Sequence, residues 1–140
     1  MAAGILADCF FYELGHSDFI HSFFSTISYH LEKEGRGTKY PLLMNELYNG
    51  KLNWEEVSVV KAELFGIEQE LSKLSPADVI WEKDDISKMP PWGDKISPNV
   101  TNLANYFVTS DGKTFFEVMH AAMDVAVEDK CDLKLINYNT

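Results

Sequence analysis

His16, His21, His30 and His120 are the side chains best suited to moving a proton or holding a metal, and their spacing argues against the metal. A zinc site needs ligands that converge, as two histidines one helical turn apart or a Cys-x-x-Cys pair do. His16 and His21 are five residues apart and His21 and His30 are nine apart, so neither pair aligns on a helix. No Cys-x-x-Cys is present. His120 falls in an amphipathic segment and reads as an ordinary, partly buried histidine. Cys9 lies in an apolar stretch, where burial raises a thiol's pKa and leaves it inert. Ser110-Asp111-Gly112 lacks the nucleophile-elbow pattern, and Gly35-Arg36-Gly37 is too short for a phosphate loop. The adjacent acids Asp84-Asp85 and Glu55-Glu56 fit a solvated surface better than a hydrolytic pair. These residue types ask for no enzyme, no metal and no cofactor.

The elements that carry them follow from apolar spacing. Residues 3–13 alternate Ile5, Ala7, Cys9 and Phe11 with Leu6, Asp8, Phe10 and Tyr12, which predicts one strand ending in a turn at Gly15. Ser17 is placed to cap a helix whose one face holds Ile20, Phe23, Phe24, Ile27 and Leu31. Gly35 stops that helix. Pro41 opens a short one, "PLLMNELY", that Gly50 ends. Asn53, with Glu56 three residues on, opens the clearest helix, striped by Val57, Val60, Leu64, Ile67, Leu71 and Leu74. From Trp54 to Leu74 it would run about 31 Å, with Gly66 as its weak point and Ser75-Pro76 as its end. "DVIW" and "ANYFVT" read as strands, the second followed by the turn "SDGK". Thr114 and Glu117 form a capping box for a helix that buries Phe115, Val118, Met119, Ala122 and Val125 or Ala126. The tail "CDLKLINY" fits an edge strand or a last helical turn. The expected class is α+β: one domain over residues 1–140, a small β-sheet packed against several amphipathic helices.

Charge narrows the partners. Twelve basic residues against twenty-two acidic ones give −10, and Arg36 is the one arginine. Phosphate recognition favours arginine forks and a positive field, so nucleic acid is not an expected partner. The excess acid lies in residues 55–85, with nine acids against three lysines, and in 111–132, with six against two. It serves solubility or attraction to a basic partner. Two cysteines are too few for a disulfide framework, so Cys9 and Cys131 read as reduced, buried thiols. The first residues lack a basic flank, Asp8 interrupts their apolar run, and no apolar run approaches the ~20 residues of a membrane span. The expectation is a cytoplasmic protein with no membrane partner.

The stretch "WEKDDISKMPPWGD", residues 81–94, sets tryptophans beside acids and a Pro-Pro pair. A division of labour reconciles them. Trp81 and Trp92 would anchor the loop on the core, and Glu82, Asp84, Asp85 and Asp94 would point outward as candidate contacts for a basic partner. An anchored connection with no partner at all is the plainer alternative.

"YPLLMNELYNGKL", "VIWEKDD", "MPPWGDKIS" and "TNLANYFVTSDGKTFFEVM" occur in an order that resembles the immunity protein 70 family of bacterial polymorphic toxin and contact-dependent inhibition systems. The resemblance covers nearly the whole chain. It implies an intracellular α+β protein, encoded beside a toxin, that binds the toxin domain and neutralises it in the producing cell. It brings no catalytic residues. Its motif positions here, among them Trp81, Pro91, Trp92, Gly93, Asn105 and Gly112, look structural. A basic nuclease is the expected toxin, RNase ahead of DNase, because an acidic inhibitor can occupy a phosphate site. The alternatives are a small cytosolic enzyme with an unrecognised site and a protein-binding adaptor unconnected with toxins.

Overall fold

The computed structural model describes residues 2–7, 10–32, 39–48, 50–82, 85–90, 98, 100–109 and 112–138. Four antiparallel strands form one sheet in the order β2-β1-β4-β3: β1 is Ala2–Ala7, β2 Phe10–His16, β3 Lys51–Leu52 and β4 Leu133–Tyr138. Three helices accompany it: α1, Ser17–Leu31; α2, Val57–Leu71; and α3, Phe115–Asp129. This is the α+β class expected, and no described helix is long and apolar enough to cross a membrane.

The single strand read over 3–13 is two, paired Ile5 with Tyr12 and Ala7 with Phe10. Gly15 ends nothing: β2 runs on to His16, and α1 follows directly. The register slips between Ala3 and Gly4, and the residue this leaves over in β2, Leu14, is buried. Gly4 is obligatory there. A Cβ would fall 2.3 Å from the Tyr12 carbonyl oxygen and 2.8 Å from the Glu13 Cα. The tail is neither an edge strand nor helix. It is β4, interior to the sheet between β1 and β3.

Ala3, Ile5, Ala7 and Leu133 on one sheet face are buried, and α1 and α3 pack against the sheet. At the centre lies Phe23, whose ring sits 5.2–5.5 Å from those of Phe24, Phe107, Phe115 and Phe116. The apolar stripe of α2 is buried from Val57 to Leu71 as its spacing predicts, and the helix passes through Gly66 without a break. Residues 42–47 form a π-helical turn rather than an ordinary short helix.

Two caps differ from expectation. His16, not Ser17, caps α1, its Nδ1 accepting from the Asp18 amide at 3.1 Å. The Asn53 side chain caps nothing: α2 is preceded by a 3-10 turn, Trp54–Glu56, and the Trp54 amide donates to Asp132 at 2.9 Å. That bond holds the Asp132 carboxyl below the usual carboxylate range. The Thr114 cap is as expected, accepting from the Glu117 amide at 3.1 Å.

Neither "DVIW" nor "ANYFVT" forms a strand. Asn102 accepts from the amides of Ala104 and Asn105, and Asn105 accepts from those of Thr101 and Asn102. These side chains take the place of a strand partner, and one isolated bridge, Val108 with Thr114, is all the pairing the second segment makes among the described residues. The fate of "DVIW" belongs to the site below.

Two glycines give a paired test. Gly4→Ala is expected to destabilise by roughly 1–3 kcal/mol, because the obstruction is backbone. Gly66→Ala, on an exposed helix position with nothing within 4 Å of the new Cβ, is expected to stabilise by about 0.5–1 kcal/mol. Thermal melts of both variants read the two signs.

Candidate functional site

The polar face of α1 holds His21, Ser22, Thr26 and His30 at helical spacing, and it works as a rail for residues 78–82. His30 donates to the Asp78 carbonyl at 2.7 Å. The Ile80 amide donates to the Thr26 hydroxyl at 3.1 Å, and its carbonyl accepts from Ser22 at 2.8 Å and Thr26 at 3.2 Å. Both backbone groups of Ile80 are thus satisfied by side chains, which is why no strand forms there. The rail ends at His21, whose Nε2 lies 2.7 Å from the Glu82 carboxylate and whose Nδ1 meets the Tyr48 hydroxyl. With Nε2–H donating to Glu82, a neutral ring leaves Nδ1 to accept from Tyr48. Tyr48 in turn stacks on Phe24 at 4.4 Å.

A surface pocket of about 380 Å³ opens beside this cluster, lined by Ser17, Asp18, His21 and Tyr48 among others. A general base needs a nitrogen free to reach a substrate. Both nitrogens of His21 are engaged by protein partners, so the imidazole as placed is a clamp. Among the described residues no group of three His, Cys, Asp or Glu side chains is arranged to hold a metal.

The structure divides the candidate contacts. Glu82, expected to point outward, is three-quarters buried and turned onto His21. Asp85 is exposed, its carboxylate accepting from the Ser87 amide and hydroxyl, bonds that lower its pKa. Ile86 and Met89 beside it are exposed apolar residues. Trp81 is half-buried, its ring 6.4 Å from Phe19. Asp84, Asp94, Trp92 and Cys9 lie outside the described residues. Cys131 is half-buried rather than buried.

The other acidic surface is more ordered than its sequence suggests. Across α2 and α3, Lys61 pairs with Asp124, and Phe65 lies over His120 at 4.3 Å between ring centres. Burial, with Lys61 nearby, pushes the His120 imidazole below its ordinary pKa against a smaller opposing pull from Asp124. Glu63 is half-buried, and burial raises its carboxyl pKa. Sequence spacing showed each helix its own faces; the pairing between helices carried no signal in either one alone.

The structure is an α+β sheet backed by helices, with acids and a few large apolar side chains at its surface. The chain belongs to the immunity protein 70 family, whose sequence model matches residues 5–135. Membership implies an immunity protein with a cognate toxin as its partner. No curated protein and no solved structure was found to match the chain.

Two predictions follow the geometry. Glu82→Ala frees His21 and the end of the rail, and is expected to cost about 1–2 kcal/mol, whereas Asp85→Lys, at an exposed position, should melt close to the wild-type temperature. Equal melting points for the two variants would refute the division. His120 should titrate below the ordinary histidine value of 6.5. The folded state then holds that proton less tightly than the unfolded one. Its contribution is complete above about pH 6.5 and is lost as pH falls through the window down to the folded pKa. Glu63 and Glu68, whose pKa values are raised, act oppositely at lower pH. Histidine NMR titration checks the first point, and His120→Asn should flatten the melting-temperature slope over that window.

Proposed function

We propose that this protein neutralises its cognate toxin by binding the toxin domain one-to-one in the cytoplasm of the producing cell, acting as one domain and without turning over a substrate. The toxin is a basic nuclease, RNase ahead of DNase. The observation that carries this reading is the family match over residues 5–135, joined to a net charge of −10. Nucleases must attract phosphate, and an acidic protein is steered to the same surface. Within residues 81–94, Asp85 with exposed Ile86 and Met89 is proposed as toxin contact, and Asp84 and Asp94 with it. Glu82 acts by holding the segment in place.

Co-purification with the toxin domain encoded in the adjacent reading frame, followed by ribonuclease and deoxyribonuclease assays of that domain with and without the protein, tests the reading. A toxin domain that is neither bound nor inhibited would overturn it. The charge argument has its own readout. The association rate should fall steeply as salt rises from about 50 to 500 mM while the dissociation rate changes little. A flat association rate would assign the acidity to solubility alone.

A further inference from the structure

The α2–α3 contacts form a ladder in constant register. Lys61 meets Asp124, and Phe65 meets His120 one turn later on α2 and one turn earlier on α3. In the same register, three residues on in α2 and three back in α3, Glu68 faces Glu117. The three rungs differ in what they leave over. The first is a salt bridge. The second is an aromatic contact whose outer ring, Phe65, is 53% exposed. The third is two carboxylates that repel: partial burial, and after it Glu117, raise the Glu68 pKa. Among the described residues neither carboxylate has a salt-bridge partner. Ala62 and Ala121, both exposed, leave the Phe65 ring standing above its neighbours.

We propose that this face docks a basic patch of the toxin domain, with a partner arginine lying over the Phe65 ring between Glu68 and Glu117. The inference rests on the immunity reading above and adds the surface and the chemistry of the contact. A large exposed aromatic on rigid helices is what interface hot spots are made of. A guanidinium stacks on an aromatic face and donates in two directions, so one side chain can serve the ring and both acids. An unpaired like-charge rung costs the free protein stability and is relieved only when a cation arrives. Glu117 also lies in the first turn of α3, where a helix N-terminus favours an acid; Glu68 has no such place in the fold. This face is proposed in addition to the 85–89 turn, whose one described carboxylate also accepts from Ser87.

The test uses the purified protein and the toxin domain encoded beside it, with affinity and melting temperature read on the same preparations. The Glu68→Gln, Glu117→Gln double variant should melt at or above the wild-type temperature and bind the toxin roughly tenfold or more weakly. Phe65→Ser should weaken binding at least as much while the protein stays folded. Amide exchange should slow across α2 and α3 in the complex. Wild-type affinity in both variants, or a loss confined to Asp85→Lys, would place the interface elsewhere and overturn the inference. If the wild-type protein itself fails to bind the toxin domain, the immunity reading fails and takes this one with it.

Discussion

The aromatic cluster around Phe23 is the contact on which the remaining structure depends. It joins α1 to the segment that carries Phe107 and the start of α3, more than eighty residues further along the chain. Phe19, one turn earlier, extends it through Phe107 and Phe115 at 5.1 and 5.3 Å and reaches out to Trp81. Aromatic pairs at such distances add to the burial of their area. With α1 held on this side, its opposite polar face is fixed in space and can serve as a rail. The hydroxyls of Ser22 and Thr26 and the imidazoles of His21 and His30 bind one short stretch of backbone because the rings behind them set the helix's position.

The same helix shows which parts of the fold could be read from the residues and which could not. Ile20, Phe23, Phe24 and Ile27 announce a buried stripe by spacing alone, as do Val57 to Leu71 in α2 and Phe115 to Ala126 in α3. A stripe is a local property, so a single sequence reveals it. Ser22, Ser25, Thr26 and Ser28 are just as buried, and their polarity hid it. The strands proposed at "DVIW" and "ANYFVT" have strand-like composition. They fail as strands because Thr26 and Ser22 satisfy the Ile80 backbone and Asn102 the amides of Ala104 and Asn105, the first two from more than fifty positions away. The cap of the segment leading into α2 was misassigned for the same reason, since Asp132 reaches it from the other end of the chain.

Acidity follows a similar rule. A count of charges cannot tell Glu82 from Asp85, three positions on, yet one is turned inward against an imidazole and the other faces solvent. Nor can it tell Glu63 from Glu55, of which the first is half-buried and the second exposed. Much of the negative charge is therefore not a diffuse coat. It divides into acids that organise structure, such as Glu32 accepting from the amides of Lys39 and Tyr40, and acids set out on helix faces.

The position of β4 beside β1 sets the order in which the molecule can be made. Ala7 pairs with Leu133 and Ile5 with Leu135, so β1 must wait for a strand made more than a hundred residues later before its second edge is covered. Contacts this distant in sequence close the largest loops and are formed slowly. Until then the early hairpin exposes the apolar face that α1 and α3 will cover, and the nascent chain has no completed sheet.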